Sequence, residues 1–309
     1  MIKLGISDQD NLMGPDPTAR RGLLDRAAEA GLDHVTVGDH ISFHGGIGFD
    51  GLVSATSVLT SQDRLSAIVG VYLLALRHPM ATARSISTLC RMAPGRLTLG
   101  VGVGGEDRDE IRNAGVDPAT RGRRLDEALS VLRALSTGEE VTHHGEFFDL
   151  DGASILPAPQ PRVPIVIGGR GDVAVRRAAR FGDGWLGIFC SARRFTETRE
   201  RILAAAADYD RQPPSWFGVN VWCGLDTDEG RARDMLGREM QNLYRLPPEK
   251  FHHIAPAGTP QRVADWLADF VHSGAEHITL VPVASSIESA IDAVAEIRER
   301  LQAQAGDRA

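Results

Sequence analysis

The sequence predicts an α/β fold, a (β/α)8 TIM barrel with insertions, because short apolar segments alternate with amphipathic ones along the chain. Eight strand-like segments are each followed by a segment with helical spacing of apolar residues. Such repeated βα units imply parallel strands with right-handed crossovers. The length of 309 residues suits one barrel with insertions, so we predict a single domain over residues 1–309. A doubly wound open sheet is the alternative that the same alternation allows.

The predicted strands are short and apolar, and several end in polar or glycine residues. The third, residues 64–74, is apolar at nearly every position, which is typical of a parallel strand covered on both faces. Two proline-containing segments, 137–164 and 244–257, interrupt the alternation and are interpreted as insertions, the first with a short hairpin. The predicted strands span residues 2–7, 34–37, 64–74, 95–105, 164–169, 183–188, 216–223 and 277–283.

Composition and charge narrow the class of protein. Hydrophobic residues make up 42% of the chain and the net charge is -7, which indicates a soluble globular protein and gives no sign of a nucleic-acid partner. No apolar stretch is long enough for a membrane span, and the first ten residues lack a signal-peptide pattern. We therefore expect a cytoplasmic protein that acts on a small molecule. Cys90, Cys190 and Cys223 are widely spaced and form no zinc motif, so no metal site is predicted.

The segment HVTVGDHISFHGG, residues 34–46, ends a predicted strand on an acid and an imidazole. In a TIM barrel the carboxyl ends of the strands form the active-site face. The imidazole of His40 can exchange a proton near neutral pH, so we predict that His40 is catalytic. Asp39 points to the other face of a regular strand and is expected to hydrogen-bond a loop or a cofactor. The alternative is that the pair caps the strand and faces solvent.

A second candidate site is the glycine-rich turn after the fifth predicted strand, in the sequence IVIGGRGDVAV. Gly168, Gly169 and Gly171 let the backbone approach an anion closely. The following helix offers free N–H groups, and Arg170 adds a positive charge, so we interpret the turn as a phosphate site. It has neither the Walker spacing nor the full GxGxxG spacing. An ordinary βα turn with Asp172 as the helix cap is the alternative.

The fourth predicted strand also ends in glycines, in the sequence LTLGVGVGGEDRDE. A tight βα turn and a poorly matching dinucleotide fingerprint are two interpretations of this stretch. A third is that Gly102 and Gly104 leave room for a flat ring system over the barrel mouth, with Glu106 at the ring edge or against the substrate. The adjacent histidines at 143–144 and 252–253 lack metal-ligand spacing and are interpreted as surface or lid residues.

Four ordered blocks of the sequence resemble the bacterial luciferase-like monooxygenase superfamily over nearly the whole chain. The resemblance implies a TIM barrel that binds FMN or the deazaflavin coenzyme F420 at its mouth, and it suggests a homodimer. The blocks are AAEAGLDHVTVGDH, then LLALRHPMATARSISTLCRMAPGRLTLGVGVGGEDRDEI, then PAPQPRVPIVIGG with RRAARFGDGW, and finally GTPQRVADWLADFVHSGAEHITLVPV.

Within this superfamily the chain resembles the deazaflavin-dependent branch more closely. Asp39 and His40 match the pair after the second strand, where the family's histidine lies beside the reactive carbon of the ring. Gly70 and Val71 match the position of a non-proline cis peptide that bulges behind the ring. The resemblance thus implies cofactor contacts at these four positions.

The resemblance also extends to the phosphate loop, which matches Gly168 and Gly169. Three departures concern the members that oxidise glucose 6-phosphate. His44 stands where those members have tryptophan, and their sugar-phosphate cations are not evident here, so that substrate is not assigned. Their strand-four glutamate matches Glu106 only if one residue is skipped.

The function implied is that of an F420-dependent oxidoreductase, which transfers hydride between the deazaflavin and a small organic substrate with His40 as proton donor or acceptor. One alternative is an FMN-dependent luciferase-like monooxygenase. Another is a non-catalytic member that binds a flavin as carrier or sensor. The sequence does not identify the substrate, and we expect segment 244–257 and the loop after His40 to shape its pocket.

Overall fold

Eight parallel strands form a closed barrel in the computed structural model, which describes residues 2–105 and 107–306. Going round the ring, each barrel strand pairs with the next, and the pairings of β8 with β9 and of β11 with β1 leave no open edge. The predicted (β/α)8 TIM barrel is confirmed, and the open sheet is excluded. In ring order the strands are β1 (Lys3–Ile6), β2 (His34–Val37), β3 (Ser66–Tyr72), β4 (Leu97–Val101), β7 (Ile165–Gly168), β8 (Gly184–Ile188), β9 (Trp216–Leu225) and β11 (His277–Val283).

Helices connect the strands and cover the outside of the barrel. At the first turns of α2, α3 and α5, the carboxylates of Asp16, Asp50 and Asp107 accept backbone N–H hydrogen bonds, which fixes where these helices begin. The helices are α1 (Gln9–Leu12), α2 (Pro17–Glu29), α3 (Gly51–Ser61), α4 (Pro79–Met92), α5 (Arg108–Asn113), α6 (Arg121–Leu135), α7 (Asp172–Phe181), α8 (Ala192–Ala206), α9 (Glu229–Tyr244), α10 (Pro260–His272) and α11 (Ile287–Gly306).

The two irregular segments add small pieces of sheet to the barrel. In the first, β5 (Val141–His144) and β6 (Asp149–Ala153) form an antiparallel hairpin, which confirms the predicted hairpin. The hairpin is attached to α6 by Glu127, whose carboxylate accepts from the backbone N–H groups of Phe147 and Phe148 and pairs with Nε2 of His143 at 3.1 Å. In the second, β10 (Ala257–Gly258) extends the sheet beside the end of β9.

Side chains alternate between the two faces of the barrel wall. Leu4, Ile6, Val35 and Val37 are almost fully buried and belong to the large core that also contains the inner faces of the helices. Since successive residues of a strand point to opposite faces, the positions between them point into the barrel. A separate apolar cluster of Ile68, Val166 and Leu186 packs within the barrel on the side of β3, β7 and β8.

The barrel interior also contains a buried polar layer on the side of β2 and β11. Nε2 of His34 lies 2.9 Å from Oγ1 of Thr279, which in turn lies 2.8 Å from Oγ1 of Thr36. Gly5 is required beside this layer, because a Cβ there would lie 2.3 Å from the imidazole of His34. Burial lowers the pKa of His34 to about 3, and burial also lowers the pKa of His277 to about 3. Both imidazoles are therefore neutral at pH 7.

Three further features concern membrane-spanning helices, metal ligands and cysteine thiols. Within the described residues, no helix combines the length and apolar character needed to cross a bilayer. In the same part of the chain, no group of three or more His, Cys, Asp or Glu side chains is arranged to hold a metal ion. Cys90, Cys190 and Cys223 are buried free thiols, and burial raises the pKa of Cys190 to about 12. At neutral pH this thiol is therefore protonated and unreactive.

We predict that the buried imidazole of His34 makes the protein less stable as the pH falls below about 6.5, the pKa of a free histidine. The unfolded chain takes up a proton there, whereas folded His34 stays neutral down to about pH 3. Its contribution to the free energy of unfolding is therefore fully present above pH 6.5 and declines by up to ~1.4 kcal/mol per pH unit towards pH 3. Urea unfolding at several pH values would measure this slope.

The variant His34→Gln should show a shallower slope than the wild type between pH 6.5 and pH 4.5, even though it is less stable at pH 7. The control is His144→Gln, whose imidazole is 69% exposed and which should reproduce the wild-type slope. Equal slopes for His34→Gln and the wild type would show that folded His34 accepts a proton in this range.

Candidate functional site

The imidazole of His40 lies just beyond the end of β2 and is held by a buried carboxylate from α5. Nδ1 of His40 lies 3.1 Å from Oε2 of Glu110, a residue only 3% exposed. Oε1 of the same carboxylate accepts from the backbone N–H groups of Ile41 at 2.6 Å and Ser42 at 3.1 Å. One side chain thus fixes both the imidazole and the backbone that carries it.

This pairing determines which nitrogen of His40 can meet a ligand. With Nδ1 directed at Glu110, Nε2 is the nitrogen that remains for the opening, and 35% of the side chain is exposed. The ring also stacks on Phe43, with centroids 4.2 Å apart, so its plane is fixed as well. The geometry therefore leaves Nε2 as the ring atom through which His40 can contact a ligand.

Asp39, by contrast, is turned away from the opening. Its carboxylate has no exposed surface and accepts from the backbone N–H groups of Gly51 and Leu73, both at 2.8 Å. Both Nη atoms of Arg77 donate to it at 2.8 Å. Burial raises the pKa of the Asp39 carboxyl, and the Arg77 guanidinium and the two N–H groups limit that rise. Of its two expected roles, the structure shows the hydrogen bonding of loops, and Glu110, not Asp39, is the partner of His40.

The peptide bond between Gly70 and Val71 in β3 is cis, as the family resemblance implies. The side chain of Val71 fills the space beside glycines of two neighbouring strands. A Cβ on Gly102 would lie 2.5 Å from Cγ2 of Val71, and a Cβ on Gly168 would lie 2.7 Å from its Cγ1. Gly100 is similarly close, at 3.3 Å. These glycines make room for Val71, and the role of Gly102 in leaving space for a flat ring stays a prediction.

The turn after β4 contains the other two residues predicted there. Gly104 has φ +66°, a left-handed conformation that favours glycine, and a Cβ there would meet the side chain of Leu73 at 3.4 Å. Gly104 therefore shapes the tight turn that leads to α5. Glu106 lies outside the described residues, and its predicted catalytic role stays a prediction.

The predicted phosphate loop has the backbone geometry that the sequence indicates. Gly169 and Gly171 have φ +120° and +137°, and α7 begins directly afterwards. The capping position of α7 is Gly171, without a side-chain hydrogen bond, so the interpretation of Asp172 as the cap is wrong. Asp172 instead pairs with Arg201 at 2.7 Å. The first N–H groups of the helix are therefore not satisfied by a side-chain cap, which suits an anion.

Two side-chain contacts fix the surroundings of this loop. Nε1 of Trp185 donates to the carbonyl oxygen of Gly169 at 3.0 Å, which fixes the loop on the barrel wall. The guanidinium of Arg170 lies 5.7 Å from the ring centroid of Phe189, the residue that follows β8. The exposed Arg170 thus connects the loop with a group of aromatic side chains around Phe189.

That aromatic cluster was not predicted from the sequence. Nε1 of Trp222 in β9 donates to the hydroxyl of Tyr244 in α9 at 3.1 Å. The ring of Phe189 meets Tyr244 edge-on at 5.0 Å and Phe251 at 5.9 Å. In the sequence, this cluster is indicated only by the location of Trp222 and Phe189 near the carboxyl ends of two predicted strands.

The residues that hold His40 were also missed. Glu110 and Asp107 lie just after the strand-four glycines, but α5 is too short to show helical periodicity. The backbone N–H of His44 donates to Asp107 at 2.8 Å, and this bond is the main reason that the pKa of Asp107 is lowered. His44 therefore takes part in fixing the loop after β2. The available signal was the acidic run EDRDE, which supplies carboxylates close to the barrel mouth.

Comparison with known proteins gives the family of the chain. A family model described as luciferase-like monooxygenase matches residues 3–245. The chain belongs to the luciferase-like monooxygenase family. The predicted family membership is thus confirmed, because the match covers the barrel from β1 to the end of α9.

The relatives of this chain differ in how much of their length it matches. An uncharacterized protein of Mycobacterium tuberculosis is 37% identical over 135 residues, which cover 44% of the chain and 46%, or just under half, of that relative. The F420-dependent glucose-6-phosphate dehydrogenase of Rhodococcus hoagii is 34% identical over 250 residues, covering 75% of the chain and 71% of that enzyme. A solved F420-dependent secondary alcohol dehydrogenase in complex with an F420-acetone adduct has a TM-score of 0.84 at 20% identity, covering 97% of the chain and 99% of the other, which shows a shared fold.

We predict that Gly102→Ala destabilises this luciferase-like barrel by about 1–3 kcal/mol, because the added Cβ would overlap Val71. The double variant Gly102→Ala/Val71→Ala should recover part of that loss, since truncation of Val71 removes the overlapping methyl groups. Urea unfolding of the two single variants and the double variant gives the coupling energy.

The matched control is Gly22→Ala in α2, where an added Cβ meets nothing within 4 Å. It should be neutral or stabilise the protein by up to ~1 kcal/mol, as expected for alanine in a helix. Purely additive effects of Gly102→Ala and Val71→Ala would contradict the proposed contact.

Proposed function

We propose that this protein is an F420-dependent oxidoreductase in which hydride passes between the deazaflavin and a small organic substrate. The observation that carries the proposal is the His40–Glu110 pair, in which Nδ1 is engaged by the carboxylate and Nε2 would be left for proton exchange with a substrate. The F420-dependent name of the R. hoagii relative, which matches 75% of the chain, supports the choice of cofactor. The resemblance also leads us to propose a cytoplasmic homodimer.

The residues at the barrel mouth fit an anionic cofactor with a flat ring. The N–H groups at the start of α7 would hold a phosphate, and Arg170 adds a cation beside them. Val71, supported by Gly102 and Gly168, would form the surface behind the ring. The bound deazaflavin would supply hydride chemistry, because the carbon that replaces the central flavin nitrogen accepts and releases hydride.

The protein itself would handle the proton. In the oxidising direction, the C–H bond of a carbinol would break with its electron pair, for which the bound cofactor would be the hydride acceptor. The hydroxyl loses its proton to Nε2 of His40, and the carbon–oxygen double bond of a ketone forms. Glu110 stabilises the imidazolium that results, at 3.1 Å from Nδ1. In the reducing direction the same imidazolium returns the proton to the ketone oxygen.

We predict that the purified protein binds F420 at least ~10-fold more tightly than FMN, a difference of about 1.4 kcal/mol. Fluorescence titration with the two oxidised cofactors would measure both dissociation constants. Arg170→Ala should weaken F420 binding by a similar factor because it removes the cation beside the loop. Arg180→Ala, at the other end of α7, is the matched control. Tighter binding of FMN would favour the FMN-dependent monooxygenase instead.

We also predict that His40→Asn lowers kcat by about 10²- to 10⁴-fold while F420 affinity is retained, since proton exchange is lost. Glu110→Gln keeps an acceptor for Ile41 and Ser42 but removes the negative charge behind His40, so a smaller loss and an altered kcat–pH profile are expected. The assay follows the visible absorbance of oxidised F420 with small secondary alcohols. His253→Asn, at an exposed position, is the control. Full activity of His40→Asn would exclude the proposed proton exchange.

A further inference from the structure

An apolar wall lines the barrel mouth on the side of β8, β9 and β11. In β9, Val221 and Cys223 belong to the large core between the barrel and its helices. Trp222, which lies between them in the strand, therefore faces the inside of the barrel. In β11, Leu280 is fully buried in the same large core, whereas Val281 and Val283 remain partly exposed. We define the apolar wall as Phe189, Trp222, Tyr244, Val281 and Val283.

The polar atoms within the apolar wall are used internally. The indole N–H of Trp222, a residue 9% exposed, donates to the hydroxyl of Tyr244, so its polar edge is not available to a ligand. Phe189, held in a left-handed conformation with φ +51°, meets the ring of Tyr244 edge-on. Val281 and Val283 pack against the same cluster. The surface offered to a ligand is therefore hydrocarbon and aromatic.

No charged residue is part of this surface, although the guanidinium of Arg170 lies at its edge, 5.7 Å from the ring centroid of Phe189. Within the described residues, the inward-facing positions of β8, β9 and β11 are glycine, apolar, aromatic, Asn220 or Thr279, apart from His277 at the far end of the barrel, which is neutral at pH 7. A carboxylate or phosphate buried against such a surface would lose its hydration without compensation. The apolar wall thus disfavours binding of charged ligands.

The cations elsewhere around the mouth are already engaged or lie on other elements. Arg77 is paired with Asp39 and Asp50 at 2.8 and 3.0 Å. Arg170 belongs to the phosphate loop, and Arg121 lies against Gly105 on the side of β4. Two further arginines and the histidines at 252–253 line a separate cavity of about 290 Å³ between α9 and α10. None of these residues belongs to the apolar wall.

We infer that the substrate of this site is an uncharged alcohol with an apolar body, or the corresponding ketone, and that Trp222 selects it. The inference rests on the proposed function, because it places the hydroxyl at Nε2 of His40 and the hydrocarbon part against the apolar wall. The C–H electron pair would leave as hydride, with bound F420 as the acceptor, and the O–H proton would go to His40, so the product would be a ketone.

The test compares two alcohols that differ by one charge, 1-phenylethanol and 4-(1-hydroxyethyl)benzoate, with glucose 6-phosphate as a third substrate. The holoenzyme with F420 is assayed by loss of the visible absorbance of the oxidised cofactor. We expect kcat/KM for 1-phenylethanol to exceed that for the benzoate by about 100-fold or more. Trp222→Leu should reduce this ratio by raising KM for 1-phenylethanol more than it lowers kcat.

The matched control is Trp266→Leu in α10, a tryptophan that lines the separate outer cavity and should leave the ratio unchanged. If Trp222→Leu fails to fold, Val281→Lys tests the same surface by placing a positive charge on it, which should favour the benzoate and lower the ratio. Cofactor titration in parallel separates the two proposals. F420 binding with a benzoate or a sugar phosphate as the better substrate, or with no turnover of any alcohol, would overturn the substrate inference alone. Absence of F420 binding would overturn the proposed function.

Discussion

The carboxylate of Glu110 organises the loop that follows β2, and through that loop the candidate site. Its two oxygens face an imidazole nitrogen and two backbone N–H groups while the side chain is nearly inaccessible to water. A buried charge is stable only when donors replace the lost water, so each of these contacts depends on the others. The imidazole is thereby positioned by charge compensation more than by apolar packing.

Asp39 applies the same principle one residue earlier in the chain. Its buried carboxylate joins the end of β2 to the start of α3, the end of β3 and Arg77. Two adjacent residues, Asp39 and His40, thus point in opposite directions and connect to different elements. The end of β2 is held from behind by Asp39 and from the side by Glu110, which leaves little freedom at His40.

The barrel framework could be predicted from the sequence, because alternation of apolar strands and amphipathic helices is a local signal. The ends of β2 and β7 were located within one or two residues, since glycine and polar residues follow buried runs there. The cis bond at Gly70–Val71 was expected only from family resemblance, and nothing in the local spacing indicates it.

The contacts between distant elements could not be predicted. Glu110 reaches His40 across 70 positions of sequence, and α5, on which it lies, has only six residues. The role of Gly102 depends on a valine in the adjacent strand, which a glycine pattern does not reveal. In the sequence, Trp222 is one of several apolar residues in a predicted strand. The direction of its side chain into the barrel mouth follows from the closure of the barrel and not from its neighbours in sequence.

The packing of Val71 against Gly100, Gly102 and Gly168 has a consequence for how such chains diversify. Four positions on three strands share one small volume, so a change of size at any of them is tolerated only with a compensating change at another. Homologues should therefore show covariation among these positions, and a bulky residue in place of one glycine should mark a smaller residue at position 71. The glycines and the side chain at position 71 are therefore expected to be conserved, or to change, together.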